Sequence, residues 1–115
     1  MTNTGYVPQR GDLAWLTLDP TLGHEQRGRR PVVVLSEGGY NGRTGLMVCC
    51  PVTNSVKGYP LEVPLPENVG VSGVALTDQI KSVDWRERRA EYISRLPAVA
   101  IAEVLRHARV MLSED

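Results

Sequence analysis

Between Gly23 and Ser36 the chain reads Gly-His-Glu-Gln-Arg-Gly-Arg-Arg-Pro-Val-Val-Val-Leu-Ser. Arg27, Arg29 and Arg30 bring three guanidinium groups to the mouth of a run apolar enough to be a buried strand, which suits a grip on a phosphodiester or another oxyanion. Glu25 stands two residues before the first arginine and adds a proton acceptor. Thr53 closes a second apolar run, where a strand-end hydroxyl can orient the same group. If the oxyanion is an RNA phosphate, the ribose 2′-hydroxyl can act as an internal nucleophile. That reaction needs a base near the 2′-oxygen, a proton donor for the leaving 5′-oxygen, and cationic donors where charge grows on phosphorus. Arg29 and Arg30 supply such donors, and Glu25 the base. No His, Cys and carboxylate residues share metal-ligand spacing, so the expectation is no metal and no other cofactor.

Each residue also has a plainer reading. Arginine pairs in loops are usually solvated, Glu25 can pair with Arg29 at the surface, and Thr53 can hydrogen-bond its own backbone. His24 rivals Glu25 as a base because its intrinsic pKa lies nearest neutrality. His107 falls on the polar side of a helical pattern and reads as a surface residue. Trp15 and Trp85 have faces that could stack on bases, but tryptophans in strands more often belong to the core.

The 115 residues carry zero formal net charge, which argues against holding nucleic acid by bulk attraction. Residues 1–57 have six basic and four acidic groups, whereas 58–115 have seven and nine. A polyanion must therefore be gripped locally. Phenylalanine is absent, which leaves Val, Leu, Ile and two tryptophans to fill one core. Cys49 and Cys50 are adjacent in an apolar run, and on a strand they point to opposite faces. They read as small buried hydrophobes rather than a disulfide or a redox pair. The start of the chain does not resemble a signal peptide and no apolar run reaches membrane-spanning length, so a soluble cytoplasmic protein of one domain (residues 1–115) is expected.

The elements follow from pattern and punctuation. Leu13–Leu18 is a partly buried strand ended by Asp19-Pro20. Pro31–Ser36 is a β-branched strand starting at its proline. The Gly- and Asn-rich stretch Glu37–Gly45 reads as a long turn, and Leu46–Thr53 as a strand buried on both faces. Asn54–Tyr59 is a polar loop carrying Lys57. Leu61–Leu65 is a short edge strand among prolines, and one further strand is expected over Val74–Val83. Pro97 suits the first turn of a helix whose apolar stripe is Ile101, Val104, Leu105, Ala108, Met111 and Leu112. Short strands closed by one helix indicate a mainly β, α+β chain: a small, strongly bent sheet or half-barrel.

With these residues in place, the chain resembles the MazF/PemK/ChpB family of toxin endoribonucleases. The resemblance rests on ordered blocks: Gly11-Asp12-Leu13, Asp19-Pro20, Gly23, Glu25-Gln26, Gly28, and Arg30-Pro31 with its strand. Tyr40-Asn41, Cys50-Pro51 with Thr53, Lys57-Gly58-Tyr59-Pro60, Gly73-Val74-Ala75-Leu76, Asp78-Gln79, Lys81-Ser82 and Trp85-Arg86 follow. It implies an SH3-like barrel of the CcdB/MazF type, a homodimer, and sequence-specific, metal-independent cutting of single-stranded RNA. The products would be 2′,3′-cyclic phosphate and 5′-hydroxyl ends. Arg30, Thr53 and Glu25 fall on the family's catalytic positions, while Arg29, Arg27, Gln26, Lys57 and Asn54 are the expected substrate contacts. Some members have histidine where this chain has Arg29, so a histidine role does not transfer there. His24 takes no role from the family. A MazE-like antitoxin with an acidic segment blocking the RNA groove is the implied partner. Two rivals remain: a CcdB-like topoisomerase poison without nuclease activity, and a non-catalytic SH3-like RNA-binding module.

Overall fold

A computed structural model describes residues 5–18 and 28–113. His24, Glu25, Gln26 and Arg27 lie outside the described residues. The elements are β1 (Asp12–Thr17), β2 (Arg29–Val34), α1 (Gly38–Thr44), β3 (Leu46–Thr53), β4 (Glu62–Pro64), β5 (Val74–Leu76), β6 (Lys81–Asp84), β7 (Glu91–Arg95) and α2 (Ala98–Leu112). Among the described residues all strand pairs are antiparallel; six strands follow the order β4-β5-β3-β2-β1-β7, and β6 pairs with β3 off that path. On the edge of β3 away from β2, β6 pairs with its first half and β5 with its last two residues. The sheet is bent but not closed, since its path runs open from β4 to β7.

The unbroken apolarity of β3 is explained by a core on each side of it. Cys50 and Val52 pack with Leu13, Val33, Leu96, Val104 and Ala108 under α2. Met47 and Cys49 pack with Leu16, Val32, Val34, Val83 and Trp85 on the opposite face. The two cysteines therefore part as strand alternation requires, and both thiols are free and buried. Burial of each Val or Leu in these layers contributes about 1.5–3 kcal/mol. An exposed ion pair such as Arg29–Glu91, at 3.1 Å, contributes about 0–1 kcal/mol. The two-sided core, not surface charge, makes the platform rigid.

Several expectations are corrected. β2 begins at Arg29 rather than Pro31, so Arg29 and Arg30 belong to a strand, paired with Thr17 and Leu16, and not to a loop. Pro31 is tolerated inside the strand because pairing to β3 starts only at Val32. Glu37–Gly45 is not a turn but holds α1. The side chain of the fully buried Asn41 accepts from the Ser36 hydroxyl (2.6 Å) and donates to the carbonyls of Pro8 (2.8 Å) and Ser36 (3.0 Å). Gly45 ends that helix in the left-handed conformation, φ 76°. Val74–Val83 is two strands, because the chain turns after Leu76 and the Thr77 hydroxyl donates to the Leu61 carbonyl (2.6 Å). β7, an edge strand, has no counterpart among the expected elements.

Pro97 is the N-cap of α2 rather than a first-turn residue, and Met111 and Leu112 stay exposed beyond the buried stripe. His107 is half-buried rather than exposed, with Nδ1 2.9 Å from the Glu103 carbonyl. Trp85 is in the core and its indole N–H donates to the Asn41 carbonyl (2.9 Å). No helix among the described residues is long and apolar enough to cross a membrane.

Candidate nucleic-acid interface

The β2–β3 register pairs Val34 with Cys49, Val33 with Cys50 and Val32 with Pro51. Continued by two residues, the same register sets Arg30 opposite Thr53. Both share a face with Val32, Val34 and Cys49, because side chains two residues apart on a strand point the same way. Directly opposed residues on one sheet face are within side-chain reach. The guanidinium and the hydroxyl thus come from the centre of the sheet, where two strands backed by core on both faces fix their positions.

Thr53 is 5% exposed, and its Oγ1 accepts the Ser55 N–H at 3.0 Å. That bond fixes the side-chain rotamer and turns the chain out of β3. Gly73 lies against the same point with φ 124°, where an added Cβ would overlap the Thr53 carbonyl oxygen. Only glycine leaves room for the two backbones to approach so closely.

Two cations that the sequence reading did not single out as site residues lie on or near this face. Lys81 pairs with Cys49 across β6, on the side that carries Val83 into the core. Burial pushes the Cys49 thiol up to about 12, while Lys81 and then Arg88 pull the other way, which places both charges within electrostatic reach of Cys49. Arg88 is latched to the end of β1: its Nη1 donates to the Thr17 carbonyl (3.1 Å) and its own carbonyl accepts the Thr17 N–H (2.9 Å). Arg30 and Lys81 put positive charge on the face that carries Thr53, with Arg88 held at the end of β1, in a chain of zero net charge. The signal for Lys81 is its place in alternation with Ile80 and Ser82; nothing local marks Arg88.

Arg29 faces the other way. It donates to Thr17 Oγ1 (3.0 Å), to the Arg89 carbonyl (2.7 Å) and to Glu91 (3.1 Å), tying β2 to β1 and to the start of β7. The Leu18 N–H donates to the Gly28 carbonyl (2.8 Å), so the two residues flanking segment 19–27 are joined beside these contacts. Lys57 and Asn54 are exposed in the loop that follows Thr53. Glu62 holds that loop by accepting the backbone N–H groups of Lys57 (3.1 Å) and Gly58 (2.9 Å), and Asn54 Oδ1 accepts from the Ser72 hydroxyl (3.3 Å). Arg30 and Thr53 are thus brought to one face, with Asn54 and Lys57 on the adjoining loop and Arg29 turned away.

Residues 9–112 match the family described as PemK-like, MazF-like toxin of type II toxin-antitoxin system. The chain is 54% identical over 85 residues to the endoribonuclease toxin MazF of Escherichia coli K12, covering 74% of this chain and 76% of that one. It is 34% identical over 110 residues to the endoribonuclease PemK of Escherichia coli, covering 91% and 82%. A crystal structure of MazF from Deinococcus radiodurans superposes with a TM-score of 0.89 at 55% identity, covering 93% of this chain and 97% of that one. A MazE–MazF crystal structure from the same organism gives 0.84 at 49% identity, covering 96% and 99%.

Proposed function

The chain belongs to the PemK-like, MazF-like toxins of type II toxin–antitoxin systems, and from that premise we propose that it is an endoribonuclease that cuts single-stranded RNA through its own 2′-hydroxyl. The observation that carries this reading is the β2–β3 register, which extended by two residues sets Arg30 opposite Thr53, with Lys81 on the same face. A topoisomerase poison needs no such phosphate-directed set. The 2′-oxygen attacks the adjacent phosphorus, its proton passes to Glu25, and the bond to the 5′-oxygen breaks as that oxygen takes up a proton from a water molecule. The products are a 2′,3′-cyclic phosphate and a 5′-hydroxyl. Arg30 donates to the non-bridging oxygens as charge builds, and the Thr53 hydroxyl orients the phosphate. Lys57, Asn54, Arg27 and Gln26 contact flanking nucleotides, while Arg29 contributes through the strand that carries Arg30.

The purified protein is expected to cut mixed-sequence RNA in EDTA, leaving ends that T4 polynucleotide kinase labels without prior phosphatase treatment. Intact RNA under these conditions would return the reading to a binding module or a protein-directed toxin. Glu25 and His24 separate in the same assay. Glu25→Gln is expected to lose far more activity than His24→Ala, which stays within about a few-fold of wild type. A dead His24→Ala overturns the choice of base.

The active form is proposed to be a homodimer. Val99, Val110, Met111 and Leu112 leave apolar side chains exposed on α2 that a second copy could cover. The relatives solved as MazE–MazF complexes support an antitoxin partner; its acidic segment is proposed to compete with RNA for the basic face.

A further inference from the structure

Gln79 has a side-chain carbonyl oxygen, Oε1, that is buried and has no hydrogen-bond partner among the described residues, a state rare among buried polar atoms. Its backbone N–H is spent on the Leu76 carbonyl (3.0 Å), which leaves the carboxamide unused. Its position is set by its neighbours. Ile80 packs into the core under α2, so Gln79 and Lys81, on either side of it, face the opposite way. β5 pairs with Val52 and Thr53 and β6 with Leu46–Cys49 on the same edge of β3, so the turn from Leu76 to Gln79 that joins them lies along that edge near Pro51. Pro51 lies two residues before Thr53, on the same face. Gln79 therefore lies between Lys81 and Thr53 along the edge of β3.

We propose that Gln79 reads the edge of one RNA base next to the scissile phosphate. A carboxamide offers one acceptor and one donor side by side, which matches the paired donor and acceptor on a base edge. In single-stranded RNA these edges are free to be read. Oε1 reaches a ligand when the amide turns about its Cγ–Cδ bond, and the unpaired oxygen of the free protein then gains the partner it lacks. A base without a donor at that place leaves the oxygen unpaired, so discrimination comes from the mismatch as much as from the match. The polar loop over Asn54–Tyr59 follows Thr53, whereas Gln79 is held in a short turn between β5 and β6, closed by its N–H to the Leu76 carbonyl.

The inference rests on the endoribonuclease reading, and one experiment separates the two. Wild type, Gln79→Leu and Gln79→Glu are each incubated with a randomised RNA pool, and the cut sites are sequenced alongside thermal midpoints. Gln79→Leu is expected to melt at or above wild type, because the orphan oxygen is gone. It should cut the preferred motif about tenfold to a hundredfold more slowly and flatten the base preference at one position. Gln79→Glu, with two acceptors, is expected to move that preference toward bases presenting an amino donor. An unchanged cut-site profile in both variants, with wild type active, overturns base reading and leaves the nuclease standing. A wild type that cuts nothing fails the nuclease reading itself. A Gln79→Leu defect that is equal for all four bases and vanishes on substrates with one 2′-deoxy nucleotide assigns the amide to the ribose and also overturns the proposal.

Discussion

Arg30→Ala is expected to fold, melt within a few degrees of wild type and cut RNA at least about a hundredfold more slowly, the scale of a lost transition-state donor. Its backbone pairing with Leu16 survives the substitution, and the strand beyond it is held by Val32, Val33 and Val34 in two cores. The loss therefore falls on chemistry and not on the fold. Arg30→Lys should recover little, because one ammonium cannot donate to two phosphate oxygens in the fixed geometry of a guanidinium. Arg30→Met keeps the aliphatic stem and controls for packing. Lys81 keeps the face positive in all three variants, so RNA binding should fall less than turnover. The measurement is single-turnover cleavage beside a binding isotherm. Near wild-type cleavage by Arg30→Ala would remove the residue from the site.

That the arginine and the threonine lie across from one another could not be read from their spacing of twenty-three residues. Leu46–Thr53 was legible to the residue because a strand with core on both faces has no polar alternation to misread. The β-branched run after Pro31 was legible for the same reason. The start of β2 was not, since Arg29 and Arg30 look like loop residues until Thr17 and Leu16 pair with them. α1 was hidden by three glycines among its seven residues, a composition that favours a turn. It forms because Asn41 is bonded from three directions within the tertiary structure, and local propensity is overridden. The division of Val74–Val83 was hidden because its apolar residues continue through the turn at Thr77. Register could not be derived at all without the strand pairing, and register is what sets Arg30 against Thr53 and brings Gln79 near Pro51. Residue type and family resemblance both put Arg30 and Thr53 forward as candidates; their opposition came only from the fold.

Thr53 allows the site and the scaffold to be told apart within one side chain. Its hydroxyl has a structural use, since Oγ1 accepts the Ser55 N–H at 3.0 Å, and its methyl fills a buried position with 5% of the residue exposed. Thr53→Val keeps the shape and the β-branching and deletes the hydroxyl. Losing the bond to Ser55 costs about 1 kcal/mol, which in a chain of this size lowers the midpoint by roughly 4–8 °C. Cleavage is expected to fall much further, by at least about a hundredfold, because the phosphate loses its orienting hydroxyl. Thr53→Ser reverses the pattern: it restores the hydroxyl, removes the methyl and costs a comparable amount of stability through the small cavity left behind. If the hydroxyl serves the reaction, Thr53→Ser cuts within about a few-fold of wild type while Thr53→Val does not, although both are similarly destabilised. Activity that tracks the melting temperature across the two variants would make Thr53 a strand-end residue and nothing more, and would leave Arg30 without its partner.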